Sequence, residues 1–208
     1  LLSILILLTS VEFVAFDMDF YKKEYKKYDI VKNTGIEEKD LMESTEKLLD
    51  YLRDKRDNLN FKITINGKEQ EFFSQRDKLH MIDVKHLFVL GRYIRNYIFV
   101  ALLILVPVFI YKNIKYKVSS LSIITACVGV LPVVILIVLM NIDFNKYFTI
   151  FHEIFFDNDL WLLDPRVDML VNIFPEKFFY DIAIRIIAYY LTTQVVLLIL
   201  GLTIKYKF

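Results

Sequence analysis

Four apolar runs limit what this sequence can fold into. Three of them, residues 96–111, 118–142 and 186–204, carry no charged side chain over 16, 25 and 19 residues. A bilayer core of about 30 Å takes roughly 20 helical residues, so these three runs predict transmembrane helices. The first run, residues 1–16, is interrupted only by Glu12 and predicts a fourth.

The first run is open to two interpretations. It has the length of the apolar region of a signal peptide. However, no small-residue cleavage site follows it, and Glu12, Phe13 and Phe16 suit a helix end at a membrane interface. The sequence does not begin with Met, so we expect a few residues to precede Leu1. We favour a retained transmembrane helix.

Lysines predict which way the chain crosses the membrane. Residues 112–117 contain three lysines, and Lys205 and Lys207 follow the fourth run. Residues 143–181 contain three basic side chains against eight acidic ones. Short segments rich in Lys and Arg stay in the cytoplasm. Both termini are then cytoplasmic.

The predicted fold class is an α-helical integral membrane protein with four transmembrane helices and a small extracellular α+β cap. Arg92 and Arg95 can lengthen the second span, because arginine heads reach the interface along their apolar stems. We place the spans at residues 1–16, 92–111, 118–142 and 182–208 (with a cytoplasmic tail), the cap at 17–91, a cytoplasmic loop at 112–117 and an extracellular loop at 143–181.

Residues 17–91 predict a folded cap that rests on the membrane face and on the 143–181 loop. Sixteen acidic and fifteen basic side chains are interspersed there, as on a solvated surface. The segment Thr34-Gly35-Ile36-Glu37 is typical of a capping box. It predicts an amphipathic helix that ends near Arg56 and buries Leu41, Thr45, Leu48 and Leu52.

A β-hairpin should follow this helix. Phe61, Ile63 and Ile65 alternate with polar residues up to Asn66-Gly67, the preferred dipeptide of a two-residue hairpin turn. Residues 68–73 would form the return strand. Ser74 and Asp77 then predict the start of a helix that continues through His80 towards the second span.

Composition excludes several classes of function. The net charge of +1 provides no basic surface for nucleic acid. Cys127 is the only cysteine, which excludes an intrachain disulfide and cysteine-based metal sites. With three histidines and five glycines, the chain has no His-rich metal cage and no glycine-rich phosphate loop. We therefore expect no metal, no cofactor and no nucleic-acid partner.

Two histidines are candidates for chemistry near the outer interface. His80 shares a helical face with Arg76, Asp83, Val84 and Leu87, whereas His86 lies about 120° away. His152 lies just beyond the third span. A cation and a carboxylate beside His80 could fix its tautomer and its pKa.

The same residues also have ordinary interpretations. An isolated interfacial histidine is usually a surface residue, residues 157–159 and 164–165 are good turn formers, and the aromatic enrichment is typical of a membrane belt. From the residues alone, two classes stay open. One is a lipid-directed enzyme that uses histidine acid–base chemistry, and the other is a non-catalytic sensor or interaction protein whose cap binds a partner.

Two stretches resemble the signatures of bacterial lipoprotein intramolecular transacylases. Residues 78–88, KLHMIDVKHLF, resemble the signature His-x-x-(Asp/Glu)-Val-Lys. Residues 151–165, FHEIFFDNDLWLLDP, resemble the second signature, which follows the third span. Their order, their spacing and the four-span layout agree over essentially the whole chain.

The resemblance implies an enzyme that moves the sn-2 acyl chain of a diacylglyceryl-cysteine lipoprotein to the cysteine α-amino group. It implies a multi-pass protein of the bacterial cell membrane, in contact with lipid, with its active site at the extracellular interface. It also makes His80 and His152 the two catalytic histidines.

An ester-to-amide transfer needs no cofactor, but the amine must lose a proton and the glycerol oxygen must gain one. Which histidine acts as base, and whether an acyl-histidine forms, stays open at this stage. We expect aromatic pocket walls and a set of supporting polar residues, with Arg76 as an oxyanion stabiliser. The candidates are Phe151, Phe155, Phe156 and Trp161 for the walls, and Arg76, Asp83, Glu153 and Asp164 for support.

Overall fold

The computed structural model describes residues 1–65, 67–111 and 115–207 of the chain. Within these residues lie eight helices and one two-stranded sheet. In chain order the elements are α1 (Leu2–Ala15), α2 (Met18–Lys27), α3 (Ile30–Thr34), α4 (Glu38–Leu52), β1 (Lys62–Ile65), β2 (Lys68–Glu71), α5 (Gln75–Tyr111), α6 (Lys115–Phe155), α7 (Met169–Ile173) and α8 (Glu176–Lys207).

The described residues divide into two compact units, each assembled from distant parts of the sequence. The apolar unit comprises the described residues within 1–15, 91–144 and 182–208. The polar unit comprises those within 16–90 and 145–181. The predicted cap and most of the predicted extracellular loop therefore fold together in the polar unit.

Three helices are long and apolar enough to cross a membrane, namely Gln75–Val108, Ser119–Phe155 and Glu176–Tyr206. They overlap the predicted second, third and fourth spans. Helix α1 is also apolar but has 14 residues, so a fourth span remains a prediction. The chain is a mostly helical membrane protein with a small two-stranded sheet. Residues 112–114 of the predicted cytoplasmic loop lie outside the described residues.

Helix α6 is broken at one residue. Asp143 has φ −161° and ψ 92°, which is extended rather than helical backbone. The break directly follows the predicted end of the third span at residue 142. The helix then continues to Phe155, so residues 144–155 form a helical extension that carries His152.

A close approach of α1, α6 and α8 requires glycine in the apolar unit. A Cβ atom on Gly129 would lie 2.6 Å from Tyr190 Oη, 2.8 Å from Gln194 Nε2 and 2.9 Å from Ser3 Oγ. Tyr190 Oη also donates to the Gly129 carbonyl at 3.0 Å. Small residues and interhelical hydrogen bonds are what hold helices together within lipid.

Charged side chains of the apolar unit pair with one another. Glu12 on α1 lies 3.5 Å from Arg95 and 3.9 Å from Arg92, both on α5. The sequence suggested separate interfacial side chains. Pairing lowers the cost of holding each charge in apolar surroundings, so these residues also join α1 to α5.

The predicted amphipathic helix exists, but its ends differ from the prediction. The predicted capping box at Thr34–Glu37 is wrong: Thr34 ends α3, and Gly35 follows it with φ 69°, the left-handed conformation typical of a helix C-terminus. Helix α4 begins at Glu38 and ends at Leu52 rather than near Arg56. The four residues predicted for its inner face are all buried: Leu41, Thr45, Leu48 and Leu52.

The hairpin has the predicted register. Ile65 pairs with Lys68, so a two-residue turn joins β1 and β2. Gly67 has φ 75°, a backbone conformation that glycine adopts without strain. Asn66 lies outside the described residues. The return strand ends at Glu71, and Phe72 and Phe73 beyond it are buried.

The predicted start of the helix that carries His80 is confirmed. Ser74 N donates to Asp77 Oδ2 at 3.0 Å, and Asp77 N donates to Ser74 Oγ at 2.9 Å. This reciprocal pair opens α5 at Gln75. Helix α5 then continues to Tyr111.

Candidate active site

The polar unit brings the two candidate histidines together. His80 lies in the second turn of α5 and is 6% exposed. His152 lies in the last turn of α6. Their ring centroids are 6.0 Å apart with an interplanar angle of 34°. Two residues 72 positions apart in the sequence thus form one pair, as the two motifs predicted.

The backbone of α6 fixes the tautomer of His152. Its Nδ1 lies 2.6 Å from the Phe148 carbonyl oxygen, one helical turn earlier. A carbonyl can only accept, so Nδ1 carries the hydrogen and Nε2 of the neutral ring keeps its lone pair. Burial lowers the pKa of His152, although the hydrogen bond to Phe148 acts in the opposite direction. A histidine whose pKa lies below its ordinary value of about 6.5 is mostly uncharged at pH 7.

His80 has a different environment. Burial, and to a smaller extent the neighbouring His152, lowers the pKa of His80 to about 4. Its Nδ1 is buried and has no hydrogen-bond partner among residues 1–65, 67–111 and 115–207. A ring with this pKa is neutral at pH 7, so one of its nitrogens carries a hydrogen that can be donated.

Aromatic rings surround the pair. Phe156 is 7% exposed and contacts both histidines, with centroids 5.3 Å from His80 and 5.7 Å from His152. Trp161 stacks on His152 at 4.9 Å and 29°. Phe151 lies 5.6 Å from His152, and Phe155 packs on Phe151 at 4.8 Å. All four predicted wall residues therefore lie in this cluster, with Phe155 one ring further out.

Arg76 and Asp83 bind the loop that follows α6. Arg76 Nε donates to the Leu162 carbonyl at 3.0 Å, and its Nη2 donates to the Asp159 carbonyl and lies 3.3 Å from the Asp159 carboxylate. Asp83 accepts from Asn158 Nδ2 at 2.9 Å. None of these contacts involves a histidine, so both side chains hold the loop against the face of α5 that carries His80.

The remaining predicted support residues are exposed or paired elsewhere. Asp164 pairs with Arg166 at 2.5 Å, and this guanidinium lowers the pKa of Asp164. Glu153 is exposed. His86 is exposed as well, in agreement with its predicted position on another face of α5.

Sequence reasoning missed Phe148 and the buried Asp168, and it assigned the buried Asp77 only to the start of α5. The Phe148 carbonyl accepts the hydrogen bond from His152. The two rings also meet edge to face, with their centroids 4.5 Å apart. The position of Phe148 four residues before His152 was the available signal, because i and i−4 are neighbours on a helix. Within the described chain, no three His, Cys, Asp or Glu side chains cluster as metal ligands.

Comparison with known proteins gives one family match. The model of the family "Lipoprotein intramolecular transacylase Lit" matches residues 1–179. No curated protein matches the sequence.

The fold is similar to that of solved structures. The membrane integral lipoprotein intramolecular transacylase Lit from Bacillus cereus aligns with a TM-score of 0.77 and 22% identity, over 99% of this chain and 91% of that chain. A histidine-to-alanine variant of the same protein aligns with a TM-score of 0.77 and 21% identity, over 99% and 89%.

Proposed function

Because this chain belongs to the lipoprotein intramolecular transacylase Lit family and is an acyltransferase, we propose that it moves the sn-2 acyl chain of a diacylglyceryl-cysteine lipoprotein. The acceptor is the α-amino group of the same cysteine, and the product is an N-acyl lyso-lipoprotein. The observation that carries this proposal is the pair of neutral histidine rings 6.0 Å apart within an aromatic cluster.

The reaction balances without a co-reactant. One C–N bond forms at the ester carbonyl, and the C–O bond to glycerol breaks. The amine loses one proton and the glycerol oxygen gains one. A single base that accepts the first proton and returns it to the leaving oxygen therefore completes the transfer.

We assign this proton transfer to His152. The hydrogen bond from its Nδ1 to Phe148 supports the tautomer in which Nε2 is free to accept. The substrate amine has an ordinary pKa of about 7.7–8.0, so at neutral pH a sizeable part of it is already deprotonated and can attack. The imidazolium formed on His152 then protonates the glycerol oxygen.

We assign His80 to the carbonyl oxygen. Its low pKa makes it a poor base but keeps it neutral, and a neutral imidazole N–H can donate to the negative charge that develops on a carbonyl. Removing one such donor typically costs about 10²–10³-fold in turnover. Arg76 was the earlier candidate for this role, but its guanidinium is already bound to the 159–162 segment.

The aromatic cluster supports transfer over hydrolysis. Amine and ester belong to one molecule, so the enzyme mainly has to orient them, and good orientation contributes up to about 7–11 kcal/mol. Rings such as Phe156 and Trp161 give the histidines apolar neighbours, which suit a lipid chain better than water.

Mass spectrometry of the N-terminal peptide of a diacylated lipoprotein tests the reaction. After incubation with this protein in detergent, we expect an unchanged mass with one acyl group moved from glycerol to nitrogen, as read from fragment ions. Loss of one acyl mass would instead indicate a lipase. An unchanged peptide would favour the sensor or binding class.

We further propose a multi-pass protein of the bacterial cell membrane, with both termini in the cytoplasm and the polar unit outside. The lysines of residues 112–117 and Lys205 support this orientation.

Single cysteines in a Cys127→Ala background test the orientation. Cysteines at Asn58 and at Val167, which is 71% exposed, should react with an impermeant thiol reagent added outside. A cysteine at Asn113, which lies outside the described residues, should not react. External labelling at Asn113 would contradict the orientation.

A further inference from the structure

Two carboxylates of the polar unit are buried, and the hydrogen bonds described for them go to groups other than the histidine rings. Asp77 is 0% exposed and Asp168 is 2% exposed. Asp77 precedes His80 by about one helical turn, and Asp168 directly precedes α7. Buried carboxylates are costly unless their oxygens accept hydrogen bonds, so their partners show what they do.

Asp77 joins the beginnings of two helices. Its carboxylate accepts from Ser74 N at 3.0 Å at the start of α5, and from Met169 N at 3.0 Å and Leu170 N at 3.4 Å at the start of α7. Helix α7 begins 92 residues later in the sequence. The Asp77 side chain therefore accepts backbone N–H groups at the start of α5 and at the start of α7, and so ties the two helix ends together.

Asp168 closes the same network. Ser74 Oγ accepts from Asp77 N at 2.9 Å and donates to Asp168 Oδ1 at 2.6 Å. The other oxygen, Asp168 Oδ2, accepts from Asp164 N at 2.7 Å. We call Ser74, Asp77 and Asp168 the polar clasp.

The polar clasp holds the far end of the segment that carries Trp161. Residues 157–168 leave α6 just after His152 and return to α5 at the clasp. Between these two ends, Trp161 stacks on His152 and Asn158 donates to Asp83. Trp161 Nε1 donates to the Asn158 carbonyl at 2.9 Å, so ring and loop move together.

We propose that Asp77 is a positioning residue for the histidine pair, because through the polar clasp it fixes residues 157–168 on α5 and thereby places Trp161 on His152. The effect on turnover rests on the proposed function, whereas the placement of Trp161 does not. Asp77 acts through the loop and does not touch the reacting atoms.

The chemistry of the clasp requires a carboxylate. Both oxygens of Asp77 accept backbone N–H groups, and each can accept more than one. In Asp77→Asn, one oxygen becomes an NH₂ group that faces those donors. The substitution keeps the size of the side chain but removes its charge and one of its two acceptor oxygens, so it weakens the clasp with little change in packing.

Trp161 provides a direct readout, because it is the only tryptophan in the chain. We expect Asp77→Asn to increase quenching of Trp161 fluorescence by acrylamide. We expect kcat to fall about 10- to 100-fold with KM nearly unchanged, since small misplacements of catalytic groups cost that much. Asp77→Glu, which retains the carboxylate, should recover part of both.

Thr45→Val is the matched control. Thr45 is fully buried in the same unit, and its Oγ1 lies 2.6 Å from Tyr25 Oη, away from the histidines. The substitution removes a buried hydrogen bond at similar side-chain volume. It should lower stability while leaving Trp161 quenching and kcat as in the wild type.

The result that overturns the proposal is a folded Asp77→Asn protein with wild-type kcat, whether or not Trp161 quenching changes. Equal effects of Thr45→Val and Asp77→Asn on kcat would overturn it as well. If Asp77→Asn does not fold, Ser74→Ala is judged by the same criteria. If the wild type shows no acyl transfer, the proposed function fails, and unchanged quenching in the clasp variant would still reject the placement of Trp161.

Discussion

Replacing His152 with Asn should lower turnover by about 10²–10⁴-fold, the usual contribution of a positioned acid–base group. The variant loses the Nε2 lone pair that, in the proposed reaction, accepts the amine proton. It should still fold, because the lost hydrogen bond to Phe148 is local to one turn of α6. Initial rates of acyl transfer, measured by mass spectrometry at equal folded yield, provide the test.

His80→Asn should cost about 10²–10³-fold, since it removes a donor to the carbonyl oxygen. The double variant should be little slower than the slower single variant, because groups that act as a unit are not additive. Retention of acyl transfer after loss of both rings would reject the catalytic assignment.

His86→Ala is the matched control for both substitutions. His86 is on the same helix as His80, carries the same ring and is exposed. It should retain most activity. Equal damage from His86→Ala and His80→Asn would show that the helical-face argument is wrong.

The second large effect concerns stability at acid pH. The pKa of His80 is about 4 in the folded protein, against an ordinary value of about 6.5. Between these values the unfolded chain binds a proton that the folded protein does not, so acidification removes stability. At pH 5 this loss is about 2 kcal/mol, and it is absent at pH 7.5 and in His80→Asn.

Asp77 has the opposite effect on the stability of the folded protein at acid pH. Burial raises the pKa of Asp77 to about 6, although backbone donors at Ser74 and Met169 oppose the rise. As the pH falls, the carboxylate of Asp77 therefore takes up a proton in the folded protein before it does so in the unfolded chain. Acidification below pH 6 then raises the free energy of unfolding. In the wild type this gain offsets part of the loss from His80, and His152 adds a further loss because burial lowers the pKa of that ring too.

Thermal unfolding in detergent at pH 7.5 and pH 5 separates the two groups. On acidification, the Tm of His80→Asn should rise by roughly 4–8 °C relative to the wild type, since 1 kcal/mol corresponds to about 2–4 °C for a chain of this size. The Tm of Asp77→Asn should instead fall relative to the wild type on acidification. If the Tm of the wild type and that of His80→Asn change equally between pH 7.5 and pH 5, the low pKa of His80 is contradicted.

The sequence predicted what depends on local periodicity. Apolar runs indicated the three long helices, the Ser74–Asp77 pair indicated the start of α5, and helical spacing separated His86 from His80. Each of these patterns depends on residues within a few turns of one another, so no knowledge of distant partners was needed.

Long-range partners were not predictable in the same way. Arg76 lies on the same predicted face as His80, but its hydrogen bonds go to a loop 83 to 86 residues away. The Thr34–Glu37 pattern matched a capping box, yet Gly35 terminates α3 because a left-handed residue satisfies the helix end there. Only the folded chain shows which of several locally acceptable partners is used.

The hydrogen bond from His152 to Phe148 sets the tautomer of this ring independently of the loop. Its acceptor belongs to the same helix, four residues earlier, so it does not depend on residues 157–168. Trp161, in contrast, reaches His152 only through that loop. In the proposed reaction, the tautomer of His152 is therefore set within α6, whereas the placement of its ring also depends on the loop through Trp161.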